Sequence, residues 1–120
     1  MTEAVLLAVD REPRGNGLVV LALTGELVVT SRDVLRESAE AVIADGARAI
    51  VVAVDRLTHI DTSGLALLVY LAGRCAERGG RLAVAGLGGD SEEMRQHLFL
   101  DEAILFADDV EAAAAAISPN

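Results

Sequence analysis

The chain contains very few aromatic residues, which make up 2% of its 120 residues and include no tryptophan. Its hydrophobic fraction is nevertheless 52%. The core must therefore be built from alanine, valine, leucine and isoleucine, as is usual for a small α/β protein made of packed layers. This length suits one compact domain over residues 1–120 and leaves no room for a second core of similar size.

Disulfides, long apolar runs and a basic N-terminus are also missing. Cys75 is the single cysteine, so no intramolecular disulfide can form and a reducing compartment is expected. The longest apolar run, residues 65–72, is too short to span a bilayer. Residues 1–10 carry acids and no basic residue, unlike a secretory signal. We therefore expect a soluble, cytoplasmic protein that does not insert into a membrane.

Lysine is absent, since all ten basic residues are arginines, and these are scattered along the chain. Nineteen acidic residues bring the net charge to −9. Nucleic-acid binding depends largely on cationic side chains that neutralise phosphates, so this composition argues against direct binding of DNA or RNA. An acidic surface is compatible with a basic protein partner.

Apolar periodicity, together with turn and capping residues, predicts five strands and four helices. The strands are predicted at residues 5–9, 18–27, 48–54, 81–86 and 103–106, with a turn at 11–17. Two helices are predicted over residues 62–78 and 89–100. Another begins at a capping box at 30–33 and ends at about 45, and a last one begins at a cap at 108–109 and ends at 117. Strand and helix alternate after the first hairpin, which favours an α/β fold with a mostly parallel, mixed sheet.

The segment "DTSG" (61–64) directly precedes the longest predicted helix, and three interpretations of it are open. Its side chains could cap the helix by accepting the free N–H groups of the first turn. A serine nucleophile is a second interpretation, but the spacing of a nucleophile elbow is absent and the chain has just His59 and His97 as histidines. The third is a phosphoacceptor, since a helix N-terminus tolerates the charge of about −2 that a phosphate on Thr62 or Ser63 would add.

No other motif in the sequence indicates a metal or cofactor site. No set of His, Cys, Asp and Glu has the spacing of metal ligands, and the Gly-rich stretch 86–90 lacks the lysine of a phosphate-binding loop. We interpret His59 as a contact or spacer beside the "DTSG" segment. Cys75 falls among apolar residues of the predicted helix, so we expect it to be buried and inert.

Residues 57–86 resemble the core of the STAS domain, the domain of bacterial anti-sigma factor antagonists. The resemblance lies in Ile60 before the acid, the run "DTSGL", the long helix, Gly79-Gly80 and the strand that follows. The run "LTGEL" at 23–27 also matches the second-strand signature of that family. With the order of elements, the resemblance extends over nearly the whole chain.

The resemblance implies that Thr62 is the phosphoacceptor, with Ser63 as a less favoured candidate. In the family, the residue after the aspartate is phosphorylated by the partner anti-sigma factor, an ATP-dependent Ser/Thr kinase of the GHKL type. The unphosphorylated antagonist binds that kinase and displaces the sigma factor; phosphorylation blocks binding and a PP2C-type phosphatase restores it. The chain is thus expected to be a binding protein without catalysis or cofactor.

The implied docking surface is the strand-to-helix corner, together with the exposed face of the following helix. Its expected members are Asp61, Ser63, Gly64, Leu65, Ile60, His59, Glu26 and Thr30.

Two departures from the family pattern keep an alternative open. Val28 stands where the family often has an acid, and Thr62 stands where many simple antagonists have serine. Threonine at this site is similar to STAS proteins of stressosome assemblies. The alternative is therefore a non-switching STAS subunit, either of a stressosome-like scaffold or of a lipid-transport ATP-binding complex. Val28 favours this alternative, whereas the intact "DTSG" favours switching.

Overall fold

The computed structural model describes residues 6–87 and 104–118. They form a five-stranded sheet with the order β1-β2-β3-β4-β5. The strands are β1 (Leu7–Gly15), β2 (Leu18–Leu27), β3 (Ala49–Ile60), β4 (Arg81–Ala85) and β5 (Ile104–Ala107). The helices in this part of the chain are α1 (Arg32–Ala44), α2 (Thr62–Glu77) and α3 (Val110–Ile117). The helix predicted at 89–100 lies outside the described residues.

Strand pairing confirms the predicted α/β class with a mostly parallel, mixed sheet. β1 pairs with β2 antiparallel, whereas β2–β3, β3–β4 and β4–β5 are parallel. β2 begins and ends at the predicted residues, and α2, β4 and β5 agree with their predictions to within one residue at each end. None of the helices within the described ranges is long and apolar enough to cross a membrane.

β1 is longer than predicted, and the turn after it is correspondingly shorter. The strand continues through Pro13 to Gly15, so the turn predicted over 11–17 is confined to Asn16-Gly17. Both turn residues have positive φ, 56° and 80°, as in the tight turns that suit a hairpin. The prediction failed because proline was taken as a turn residue, whereas an edge strand tolerates it. Residues 10–14 of β1 are all exposed.

β3 also extends beyond its prediction, from residue 54 to Ile60. The apolar run ends at Val54 and polar, exposed residues follow, which made the extension look like a loop. The strand continues because β2 runs alongside it, pairing Glu26 with His59 and Leu27 with Ile60. This extension carries the chain to the start of α2 next to the end of β2.

The two faces of the sheet carry side chains of different size. Successive residues of a strand point to opposite faces, and the face under α1 and α2 presents larger groups, including Leu21, Ile50, Val52 and Leu82. On the other face, Ala113 and Ala114 of α3 pack in a cluster with Ala49, Ala53, Ala83 and Ala85. The alanine run of α3 is therefore both a good helix former and a close-packing surface.

The capping box predicted at 30–33 is wrong. The N-cap of α1 is Ser31, whereas the box requires Thr30, and the Ser31 side chain makes no capping hydrogen bond. Instead its Oγ donates to the carbonyl of Glu26 at 2.6 Å and accepts from the N–H of Val28 at 3.0 Å. Ser31 is 3% exposed, so its hydroxyl satisfies backbone groups in the connection of residues 28–31, named below the β2–α1 turn.

Candidate phosphoacceptor and docking site

The "DTSG" segment lies at the junction of β3 and α2, where Asp61 is the N-cap of the helix. Its Oδ1 accepts a hydrogen bond from the N–H of Gly64 at 2.9 Å, and its backbone is extended, as N-caps usually are. The predicted helix cap is thus confirmed for Asp61. The hydroxyl groups of Thr62 and Ser63 take no part in that bond.

The second oxygen of Asp61 binds another part of the chain. Oδ2 accepts from the N–H of Val29, in the β2–α1 turn, at 3.0 Å. The hydrogen bond from Gly64 lowers the pKa of Asp61 below its ordinary value of 3.8; partial desolvation opposes this, and the N–H groups of Val29 and Ser63 lower it further. Asp61 is therefore ionised at neutral pH, with both oxygens occupied by backbone donors.

Thr62 is the first residue of α2 and is exposed. Its side chain makes no hydrogen bond with any described residue. Ser63, which follows it, is half-buried. Because the first N–H groups of a helix and its dipole favour negative charge, a phosphate on the Thr62 hydroxyl would sit in a favourable position.

Three of the expected docking residues lie inside the protein. Ile60 and Leu65 are 9% and 8% exposed, and Gly64 is also buried. A Cβ at position 64 would lie 2.6 Å from the carbonyl oxygen of Leu27, so glycine is what lets α2 start directly against the end of β2. These residues set the position of Thr62, and their contact with a partner stays a prediction.

The remaining expected residues are brought to the same corner by two different links. Glu26 is half-buried and His59 exposed, and they are neighbours through the pairing of β2 with β3. Thr30 is exposed in the β2–α1 turn, next to the Val29 that Asp61 holds. The structure thus places the predicted site residues at one corner, with Thr62, His59 and Thr30 most accessible.

Sequence reasoning expected the exposed face of α2 to take part but named only Thr62 on it. Thr62, Ala66 and Tyr70 recur at every fourth position, which puts them on one face of the helix, and all three are exposed. Beside this face runs a groove of about 350 Å³, named below the α1–α2 groove. Its lining residues are Arg32, Asp33, Arg36, Ala66, Leu67 and Tyr70.

Large apolar side chains are exposed in the β2–α1 turn, in α1 and in α2. Val29 is 58% exposed, Tyr70 47% and Val34 42%. A hint was present in the sequence, because α2 carries more apolar residues than one buried stripe requires. The exposure of Val29 was not indicated in this way, because Val29 lies in a short turn, where no helical or strand periodicity applies.

Polar contacts further along the helices hold α1 against α2. An oxygen of Glu40 in α1 lies 3.0 Å from Nη2 of Arg74 in α2, and the Tyr70 hydroxyl donates to the other oxygen at 3.2 Å. The Glu40 carboxylate thereby contacts two residues one turn apart on α2. This contact fixes the separation of the helices beside the α1–α2 groove.

Within residues 6–87 and 104–118, no group of three or more His, Cys, Asp or Glu side chains could hold a metal ion. Cys75 is buried, as predicted, and burial raises the pKa of its thiol to about 11.

Solved structures similar to this one include regulators and a transporter-family protein. An anti-sigma factor antagonist from Mycobacterium paratuberculosis is 18% identical, with a TM-score of 0.82 over 99% of this chain and 100% of that one. The phosphorylated form of the Bacillus cell fate determinant SpoIIAA is 24% identical, with a TM-score of 0.70 over 91% and 99%. A sulfate transporter family protein from Wolinella succinogenes is 19% identical, with a TM-score of 0.69 over 85% of each chain. At these identities the likeness shows a shared fold.

No curated protein sequence is similar enough to the chain to count as a match. The model of the STAS domain, in contrast, matches residues 11–113, which include every expected site residue. The resemblance noted in the sequence is confirmed by this match, and the chain belongs to the STAS domain family.

Proposed function

We propose that this protein is an anti-sigma factor antagonist-like regulator, which binds a kinase-type anti-sigma factor and is switched off by phosphorylation of Thr62. The observation that carries the proposal is the division of roles at the start of α2. Asp61 caps the helix, so the exposed Thr62 hydroxyl has no structural bond within the described residues that phosphorylation would break. The similarity in fold to an anti-sigma factor antagonist supports the same reading.

The chemistry of the switch belongs to the partner. The Thr62 Oγ1 attacks the terminal phosphorus of ATP bound to the kinase, the bond from that phosphorus to the bridging oxygen breaks, and ADP leaves. The hydroxyl proton passes to a base of the kinase. Asp61 is a poor base for this step because its two oxygens already accept backbone N–H groups and its pKa is lowered. This supports a role as substrate and binding partner without catalysis.

Phosphorylation at Thr62 changes the surface while preserving the fold. The phosphate adds about −2 of charge beside the ionised Asp61 and close to the exposed α2 face. The helix N-terminus tolerates the charge, whereas a partner docked there would meet repulsion and a desolvation penalty. A PP2C-type phosphatase would return the protein to its binding state, in the cytoplasm where both enzymes act.

Binding of the partner tests the switch. The wild type, Thr62→Glu and Ser118→Glu are titrated with each purified kinase-type anti-sigma factor of the native organism. Ser118 is exposed at the end of α3, on the opposite face of the sheet, so its variant carries the same added charge away from the site. We expect at least tenfold weaker binding for Thr62→Glu alone. Equal binding by all three proteins would refute the switch.

Phosphate transfer tests the acceptor. Radiolabelled ATP and the purified kinase are incubated with wild type, Thr62→Val and Ser63→Ala. Valine keeps the shape of threonine without its hydroxyl, so label should be lost in Thr62→Val and retained in Ser63→Ala. Label that persists in Thr62→Val would move the acceptor to another residue.

A second candidate function is a non-switching STAS subunit of a scaffold or transport complex. It is favoured by the similarity in fold to a sulfate transporter family protein and by Val28 in place of an acid. If it is correct, wild type and Thr62→Glu would capture the same assembly subunits equally well in a pull-down, and no kinase would label either protein.

A further inference from the structure

We infer that Asp61 is a positioning residue for a second docking contact: it holds the tip of the β2–α1 turn so that Val29 inserts into an apolar pocket of the anti-sigma kinase next to Thr62. The identity of the partner rests on the proposed function above. The inference adds Val29 to the docking surface and gives the Asp61 carboxylate a role beyond capping α2.

The hydrogen bonds of the β2–α1 turn divide it into a fixed base and a separately held tip. At the base, the Val28 carbonyl accepts from the N–H groups of Ser31 and Arg32 at 3.0 and 2.8 Å, and the Val28 N–H donates to the Ser31 hydroxyl. At the tip, the Val29 N–H donates to Asp61 Oδ2 at 3.0 Å, across 32 residues of sequence. Within the described residues, the bond from Val29 to Asp61 is what connects the tip of the turn to the "DTSG" segment.

Val29 is the most exposed of the large apolar side chains in the described ranges, at 58%. A scattered apolar residue on a surface is ordinary. This one differs because its backbone is bonded to the residue directly before Thr62, which makes its position continuous with the proposed docking surface. Backbone that is held in place before binding loses little conformational freedom on association, which favours affinity. The occupant that fits is a kinase pocket that accepts a small branched aliphatic group.

The two functions of Asp61 can be separated by substitution. In Asp61→Asn, the amide oxygen can still cap the Gly64 N–H, since asparagine is as good an N-cap as aspartate. Its NH₂ group would then face the Val29 N–H, and two donors cannot bond. In Asp61→Ser, the hydroxyl also caps, but it is too short to reach Val29. Both variants keep the helix start and release the tip, while Val29→Ser keeps the Asp61 bond and removes the apolar contact.

Amide hydrogen exchange tests the positioning without any partner. We expect the Val29 N–H to exchange at least five times faster in Asp61→Asn and Asp61→Ser than in wild type. The Gly64 N–H should keep its protection within a factor of about two, which reports an intact cap and folded protein. Unchanged exchange at Val29 in both variants would overturn the positioning role.

Binding to the kinase tests the docking contact. Titration of each purified kinase-type anti-sigma factor of the native organism with Val29→Ser and with Asp61→Asn should give about tenfold weaker binding for each. Because Asp61 acts through Val29 in this respect, the double variant should bind no more than about threefold weaker than either single one. Fully additive losses would assign Asp61 a direct contact and contradict the inference.

The failure of this inference and that of the proposed function give different results. If Val29→Ser binds as tightly as wild type while Thr62→Glu does not bind, the docking role of Val29 is wrong and the switch stands. If no kinase binds the wild type, the proposed function is wrong and the docking role falls with it. Amide exchange then still decides whether Asp61 holds the turn.

Discussion

The close approach of α2 to β2 at Gly64 can be tested by adding one methyl group. In Gly64→Ala, the new Cβ would lie 2.6 Å from the Leu27 carbonyl oxygen, 2.8 Å from Leu27 Cγ and 3.0 Å from Ile60 Cγ1. Since one of these neighbours is the backbone at the end of β2, the clash cannot be relieved by a side-chain rotation alone. The start of α2 must move, and Thr62 moves with it.

The magnitude follows from two opposing effects. Overpacking of a tight site costs about 1–3 kcal/mol, while replacing glycine by alanine within a helix contributes up to about 1 kcal/mol in favour of folding. We expect Gly64→Ala to lower the free energy of unfolding by about 1–2 kcal/mol. Gly73 is a matched control in the same helix, because a Cβ there meets nothing within 4 Å. Gly73→Ala should raise stability by about 0.5–1 kcal/mol.

Urea unfolding followed by far-ultraviolet circular dichroism measures both variants. The two single-methyl additions should shift the midpoint in opposite directions with similar slopes, since both proteins expose similar surface on unfolding. In thermal unfolding, each kcal/mol should move Tm by about 4 °C for a chain of this size. If Gly64→Ala were as stable as Gly73→Ala, the tight packing of α2 against Leu27 would be refuted.

Three further predictions concern charged and reactive groups. Folding lowers the pKa of Asp61. The ionised carboxylate therefore stabilises the fold above its ordinary pKa, and this contribution is lost as the pH falls through the pKa of the folded state. In urea unfolding below about pH 4, wild type should lose stability more steeply with falling pH than Asp61→Asn. The partly buried Arg74–Glu40 pair should show a coupling of about 0.5–1 kcal/mol in a double-mutant cycle, falling in 1 M salt; a salt-independent coupling would contradict its ionic nature. The raised pKa of Cys75, about 11, leaves little reactive thiolate at pH 8. Iodoacetamide should therefore label Cys75 at least about a hundred times more slowly in the native than in the urea-unfolded protein, as measured by mass spectrometry. Equal labelling rates would show that the thiol is accessible.

Elements with a strong apolar pattern were predictable from the sequence. β2 matches its prediction residue for residue and begins directly after Gly17. α2 ends within one residue of its prediction, because Asp61 caps its start and Gly79-Gly80 follow its end. The start of α2 at Thr62 followed from the same pattern, whereas the choice of Thr62 as candidate phosphoacceptor came from the family resemblance. The helix start depends on the cap residue and the apolar pattern, both of which are local.

Features that depend on a neighbouring strand were not predictable in this way. The second half of β3 is polar, and it is a strand because β2 pairs with it up to Ile60. Residues 30–33 looked like a capping box, yet the N-cap is Ser31, and its hydroxyl bonds to the Glu26 carbonyl within the turn. The bond between Asp61 and Val29 joins residues far apart in sequence, and no periodicity reports such a contact.

The edge formed by β1 restricts how this protein can meet other chains. Within the described residues no strand pairs with its outer side, and an unpaired edge is ordinarily a template for another strand to add to the sheet. The exposed run from Asp10 to Arg14 places four charges and a proline along this edge, and proline has no N–H to donate. Extension of the sheet by another strand is therefore discouraged at the β1 edge. A second copy of this chain therefore finds little template along β1 for adding a strand of its own.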